Sequence, residues 1–301
     1  GFAAPTVNKV MPAGAMRGSE CEVLVMGTNL HEPQALFFED GIVHQTKIES
    51  VNDKQFKVTL NVPEDAPFGN HRFRVRTKKG LSLLRTFRVG PFPHVTESES
   101  DSSQKKPPNN TAAEAQEIQF SKAGGLTVAG VVDREDVDWY KVVLNKDDRL
   151  SVAVDGVRLN YTPFDPYIDI VDAKGFVVAA SDDHPLMEQD ALLAFTASEP
   201  GEFFVRVRES AYGGSSACSY LLHVGRFPTP SVALPPGANP GSEVVVKWLG
   251  DPAGGFESKI KIPSTFRRAS SEVSHMLSVH PRREGVIAAE AVPLRVTNLP
   301  I

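Results

Sequence analysis

The chain has 301 residues, 41% of them hydrophobic and 23% charged, a soluble globular balance with room for two or three domains. Its net charge of −5 comes from interspersed acids and bases, so no positive stripe exists to neutralise a phosphate backbone, and nucleic acid is excluded as an expected partner. No stretch approaches the ~20 consecutive apolar residues of a bilayer-spanning helix, so no membrane-spanning segment is expected.

From the N-terminus, short alternating runs separated by Gly, Pro and Asn turns predict strands at Pro5–Val10, Glu22–Met26, Ala35–Phe38, Phe56–Val62, Phe73–Thr77 and Thr86–Val89. In Phe73-Arg74-Val75-Arg76-Thr77 apolar and charged side chains alternate, as on an antiparallel strand with one buried face. The turns carry Pro12-Ala13-Gly14, Gly18-Ser19, Gly27-Thr28-Asn29-Leu30, and later Val62-Pro63 and Phe68-Gly69-Asn70. With these motifs residues 1–93 resemble the immunoglobulin-like IPT/TIG family, which implies an immunoglobulin-type β-sandwich.

Residues 94–228 open with a polar stretch, Glu97 to Asn110, that cannot build a core and reads as a linker or ordered loop. A patterned β region follows, carrying Val128-Ala129-Gly130-Val131-Val132, Asp136-Val137-Asp138-Trp139-Tyr140, Phe164-Asp165-Pro166-Tyr167-Ile168-Asp169-Ile170, Asp172-Ala173-Lys174-Gly175, Glu202-Phe203-Phe204-Val205-Arg206-Val207 and Tyr220-Leu221-Leu222. In this order the motifs resemble the bacterial pre-peptidase C-terminal domain, which implies a second, secreted β-sandwich.

Residues 229–301 begin with an internal repeat: Pro235-Pro236-Gly237 echoes Pro12-Ala13-Gly14, and Gly241-Ser242-Glu243 echoes Gly18-Ser19-Glu20, at a constant offset that extends to Gly250 on Gly27. The echo fades from Asp251 onward, so the third domain is expected to be a relative of the first with different loop lengths. A second repeat, Phe87-Arg88-Val89, Leu222-His223-Val224 and Leu294-Arg295-Val296, leads each time into an apolar-Pro pair. Proline fixes φ and keeps the preceding residue extended, so these junctions are expected to be short, stiff links. The predicted class is therefore all-β, three tandem sandwiches, and the recurrence of the junction at the end of the chain implies that a further domain of the second kind could follow.

Four groups of residues are candidates for chemistry. The carboxylates Asp133, Glu135, Asp136 and Asp138 could supply oxygens to Ca²⁺, or Asp136 and Asp138 could instead pin a turn through backbone hydrogen bonds. Related collagen-binding domains pair such a loop with a Glu-x-Glu-Pro-Asn-Asp stretch; here the aligned residues are Lys105-Lys106-Pro107-Pro108-Asn109-Asn110, which places Lys105 and Pro107 on the two Glu positions. Asp182, Asp183, His184, Glu188 and Asp190 suggest acid/base or metal chemistry on paper but read as an exposed inter-strand loop. Tyr161, Phe164, Tyr167 and Tyr212 lie in loop-like segments as candidate ligand contacts, against the competing expectation of core packing. The sequons at Asn109 and Asn160 are discounted in bacterial-type domains, and Cys21 and Cys218, in different domains, read as unpaired buried hydrophobes.

No Gly-x-Ser-x-Gly elbow, His-Glu-x-x-His pair or supported Cys–His arrangement occurs, so no enzymatic role is expected. The expected function is a non-catalytic binding and spacing segment, extracellular, on the cell surface or periplasmic, that engages protein or polysaccharide. The alternatives are the accessory region of a secreted hydrolase and a calcium-dependent collagen- or carbohydrate-binding module.

Overall fold

The computed structural model describes residues 3–98, 108–264 and 274–298. Lys105, Lys106 and Pro107, on which the comparison with the calcium-binding stretch turned, lie outside the described residues. The chain divides into two compact units, residues 1–225 and 226–301. The first holds two sandwiches and the second holds one.

The first sandwich contains β1 (Thr6–Met11), β2 (Gly14–Met16), β3 (Glu20–Thr28), β4 (Pro33–Phe38), β5 (His44–Asn52), β6 (Gln55–Asn61), β7 (Gly69–Thr77), β8 (Gly80–Leu81) and β9 (Arg85–Gly90). One sheet runs β1-β3-β6-β5 and the other β2-β9-β7-β4, with β8 paired to β7. The expected alternation is obeyed: Val23, Val25, Phe56, Val58, Leu60, Phe73, Val75, Phe87 and Val89 turn inward and are buried. Each such side chain contributes roughly 1.5–3 kcal/mol by leaving water. Gly27, expected in a turn, lies inside β3, where a Cβ would sit 1.8 Å from the Thr6 carbonyl oxygen. The reversal comes two residues later, at Asn29, whose φ is 55°.

The second sandwich contains β10 (His94–Thr96), β11 (Gln116–Glu117), β12 (Gly125–Val131), β13 (Val137–Leu144), β14 (Arg149–Asp155), β15 (Pro166–Asp172), β16 (Val177–Ser181), β17 (Leu192–Thr196), β18 (Gly201–Glu209) and β19 (Ser219–Gly225). Its sheets run β10-β12-β19-β14-β17 and β11-β13-β18-β15-β16. The core between them is built on Tyr140, Val142, Leu150, Val152, Ile168, Ile170, Val205, Val207, Tyr220 and Leu222. The Pro91–Pro93 link joins β9 directly to β10, which pairs in parallel with β12.

The second unit contains β20 (Val232–Leu234), β21 (Gly237–Ala238), β22 (Glu243–Leu249), β23 (Phe256–Lys261), β24 (Ser274–Val279), β25 (Arg282–Arg283), β26 (Val286–Ile287) and β27 (Val292–Thr297). Its sheets β20-β22-β23 and β21-β27-β24 repeat the order β1-β3-β6 and β2-β9-β7 of the first sandwich. Val232, Ala233 and Leu234 face Leu249, Trp248 and Lys247, as Lys9, Val10 and Met11 face Met26, Val25 and Leu24. Gly237 pairs with Arg295 as Gly14 pairs with Arg88. After Gly250 a short turn runs straight to β23, so the two strands corresponding to β4 and β5 are omitted. That deletion is why the sequence echo fades at Asp251.

Candidate functional site

Three polar constellations lie in the first unit, and the first ties its two sandwiches together. Arg88, on the outward side of β9 between the inward Phe87 and Val89, is 5% exposed. Its Nε lies 2.7 Å from Oδ2 of the fully buried Asp155, at the end of β14 in the next sandwich. Asp155 also meets the Arg158 guanidinium and, at 3.0 Å, Nε2 of His223, whose Nδ1 is 2.8 Å from the Thr127 hydroxyl. Burial alone would raise the Asp155 carboxyl, but the guanidiniums of Arg158 and Arg88 and the His223 ring hold it well below the usual carboxylate range.

Arg158 is itself gripped by Asp190. The Asp190 carboxylate accepts the backbone N–H groups of Gly156 and Val157, each at 2.8 Å, that of Arg158 at 3.2 Å, and the Arg158 Nε at 2.8 Å. Asp190, expected in an exposed loop with Asp182, Asp183, His184 and Glu188, is instead fully buried. The loop folds back because the left-handed turn at Glu188 (φ 59°) redirects the chain inward, while Asp182, Asp183 and Glu188 stay exposed.

Around this cluster Asn70 Nδ2 donates to the Arg158 carbonyl (3.0 Å), Lys9 Nζ to the Ser216 carbonyl (2.8 Å), and the Tyr161 hydroxyl to the Thr86 carbonyl (2.6 Å). Met11, Ala13, Ala129, Leu159, Leu221 and Tyr161 form the apolar part of the contact. The junction after Gly90 is therefore a packed interface, not merely a stiff extended link. Tyr161 is a structural residue of that interface, and Phe164, 6% exposed, belongs to the second sandwich's core. Neither is an open ligand platform, because each ring was needed to fill space where two layers meet.

His94, the first residue of β10, has buried ring nitrogens, and burial, with the neighbouring charges of His223 and Arg88, lowers its pKa to about 3. An unfolded chain protonates this ring near pH 6.5 whereas the folded one does not. Stability is therefore complete above ~6.5 and falls as the pH drops, by at most ~1.4 kcal/mol per unit. Chemical denaturation at pH 7.5 and 5 should show a loss of about 2 kcal/mol attributable to His94. The His94→Gln variant should lack that part of the slope; an identical slope in both proteins would refute the assignment.

The second constellation contains the acidic residues considered for calcium. Asp136 Oδ2 accepts the Asp133 backbone N–H at 3.3 Å, as the turn-pinning reading expects, and burial raises its carboxyl pKa. Asp138 points the other way, into the core, where the Tyr220 hydroxyl lies 2.8 Å from its Oδ2 and 2.9 Å from Glu97 Oε2. Glu97 Oε1 accepts the Val131 N–H at 2.7 Å. Burial and these two carboxylates push the Tyr140 and Tyr220 hydroxyls, which touch each other, well above the ordinary tyrosine value. Gly130 makes room for this network: a Cβ there would sit 2.3 Å from both Glu97 Oε2 and Tyr220 Cζ. Glu135, at φ 60°, carries an exposed side chain beside Arg134. Asp133, Glu135, Asp136 and Asp138 thus diverge, and their oxygens do not converge on one point. The strand start is the cause: Asp136 precedes β13 and lies on the turn, whereas Asp138 is inside β13, on the inner face with Tyr140.

The third constellation lies on the outer face of the sheet β11-β13-β18-β15-β16. Cross-strand register aligns Trp139, Arg206 and Asp169 in one row, and Val137, Arg208 and Tyr167 in the next. Arg206 makes a two-pronged pair with Asp169, Nε to Oδ1 at 2.6 Å and Nη2 to Oδ2 at 2.5 Å, and its guanidinium carbon lies 5.0 Å from the Trp139 ring centroid. Phe204 meets the edge of Trp139 at 5.9 Å. The Arg208 guanidinium stands between two rings, 4.0 Å from that of Tyr167 and 4.5 Å from that of Tyr212. Its Nη1 donates to the Glu209 and Ser210 carbonyls, at 3.0 and 2.7 Å.

Tyr212 is 52% exposed and holds a left-handed φ of 58°. The Glu209 carboxylate fixes its loop by accepting the Ala211 and Gly213 N–H groups. Of the four aromatics singled out in the sequence, Tyr167 and Tyr212 thus come together on one face. Trp139, Arg206 and Arg208 join them; alternation along β13 and β18 placed these on the outward side, but no loop signal marked them.

Residues 136–209 match the profile of the family described as the bacterial pre-peptidase C-terminal domain. No curated protein sequence matches the chain. Among solved structures, the pre-peptidase C-terminal domain of a Bacillus anthracis collagenase is similar at 16% identity, covering 39% of this chain and 98% of that one, with a TM-score of 0.29. PliG of Aeromonas hydrophila, a periplasmic inhibitor of g-type lysozyme, is similar at 14% identity over 37% of this chain and 94% of that one, TM-score 0.29. SGBP-B from a xyloglucan utilization locus of Bacteroides uniformis is similar at 13% identity over 74% of this chain and 72% of that one, TM-score 0.26.

Proposed function

We propose that this chain is a non-catalytic binding and spacing segment of a larger secreted or surface protein of bacterial type. It engages protein or polysaccharide through the outer face of the second sandwich. The observation that carries this reading is the Tyr167–Arg208–Tyr212 stack beside the Trp139–Arg206–Asp169 row on one sheet face. An arginine held against two aromatic rings is a pre-ordered donor with apolar flanks, the combination that concentrates binding energy at interfaces. Fixing Tyr212 through the Glu209 carboxylate lowers the entropy lost on binding. The pre-peptidase match over residues 136–209 and the IPT/TIG-like motifs of residues 1–93 support an accessory, extracellular setting. The clamp at Arg88 supports the spacing role, because it makes the first sandwich a rigid mount for that face.

The test is co-sedimentation of the full chain with insoluble polysaccharides and with fibrous proteins. Tyr167→Ala combined with Tyr212→Ala should weaken capture by about tenfold or more, the loss of roughly 1.5 kcal/mol or more expected for an aromatic anchor, with unfolding unchanged. Capture equal to wild type would remove this face as the site. The pre-peptidase match also favours a second reading, the accessory region of a secreted hydrolase, in which the same face would hold the substrate near a separate catalytic domain.

A further inference from the structure

The third sandwich carries, uncovered, the face that the first sandwich uses to dock the second. In the first, that face consists of the outward residues of β2, β9 and β7 with the end of β1. Arg88 enters the buried ion cluster, Met11 packs into the apolar contact, and Asn70 and Thr86 bond the carbonyls of Arg158 and Leu159. In the third, register places Arg295 where Arg88 stands, Leu234 for Met11, Met276 for Asn70 and Pro293 for Thr86. Inward neighbours match too: Leu294 and Val296 are buried as Phe87 and Val89 are, so Arg295 and Pro293 turn to the same side as Arg88 and Thr86.

Burial is what differs. Arg88 is buried, whereas Arg295 and Pro293 are exposed, Leu234 is 53% exposed and Met276 is 59% exposed. An exposed apolar group surrounding one arginine is costly to leave in water and matches the composition of an interface centre.

We infer that this face docks a further sandwich of the kind formed by residues 108–225, one that presents a carboxylate at the position of Asp155 and follows the third sandwich as the second follows the first. Two observations choose this occupant. The face repeats the register of an interface present in the same chain, and Arg295 stands exposed at the position from which Arg88 reaches its carboxylate partner. The second sandwich of another copy is a poor occupant, because its own Asp155 is already engaged by Arg88 and Arg158. Met276, replacing Asn70, exchanges a hydrogen bond for a flexible apolar contact that adapts to a partner surface.

Met276 is also the reporter. The chain 1–300 would be extended by a second copy of residues 94–225, and sulfoxide formation at Met276 under dilute peroxide followed by mass spectrometry, with the 301-residue chain as reference. Docking should slow oxidation of Met276 by about tenfold or more. Arg295→Glu should restore the fast rate in the extended chain. Equal rates in the extended and reference chains overturn the inference. So does an added sandwich that remains protease-sensitive, since the natural copy folds beside its own Arg88 neighbour. Shielding that grows with concentration in the 301-residue chain alone would assign the face to self-association instead.

Discussion

Replacing Arg88 with alanine should lower the unfolding free energy of residues 1–225 by about 3 kcal/mol and split a single unfolding transition into two. Asp155 is fully buried, so removing one of its cations leaves a desolvated carboxylate with less compensation; breaking such a pair typically costs ~3–5 kcal/mol. Arg158 and His223 remain beside Asp155, which places the expected loss at the lower end of that range. The same change empties space between the sandwiches, so each half should unfold at its own midpoint. Guanidinium titration followed separately by tryptophan fluorescence, to which Trp139 and Trp248 contribute, and by far-UV circular dichroism reads both effects. Coincident transitions at the wild-type midpoint would show that the ion cluster does not couple the sandwiches.

Asp190→Ala should be at least as damaging, about 3–5 kcal/mol, because one carboxylate serves three backbone N–H groups and the Arg158 side chain. Without it, those donors lose their acceptor in a buried setting and Arg158 loses the group that aims it at Asp155. The effect should overlap strongly with that of Arg88→Ala. A double-mutant cycle on denaturation midpoints should return a coupling energy of about 1 kcal/mol or more, whereas simple additivity would separate the two residues into independent devices. Asp190→Asn should cost less than Asp190→Ala, since the amide oxygen still accepts from the backbone.

Strands and the all-β class were legible because half-buried antiparallel strands write their period directly into the chain, as Phe73 to Thr77 does. The relation between first and third domains was legible from Gly14, Gly18 and their echoes at Gly237 and Gly241, the second of each pair, Gly18 and Gly241, having positive φ, 71° and 75°. What could not be read was which loop polar groups go inside. Asp190 and Glu188 are near neighbours in a run of acids, yet one is buried and one exposed, and the difference lies in what reaches Asp190 from residues 156–158. Likewise Tyr161 and Tyr167 look alike in sequence. One fills the seam between two sandwiches and the other lies on a sheet surface, a distinction set by long-range packing that no local pattern encodes.

Several bonds across the seam between the first two sandwiches end on main-chain carbonyl oxygens, those of Arg158, Leu159, Ser216 and Thr86. Every residue type offers a carbonyl, so such bonds survive substitution of the residue that supplies them. Specific pairing then rests on the donor side chains Lys9, Asn70, Thr86 and Tyr161 and on the pair Arg88–Asp155. Selection can therefore rewrite the acceptor residues of a seam while conserving its donor side chains, one arginine, one aspartate and the path of the backbone.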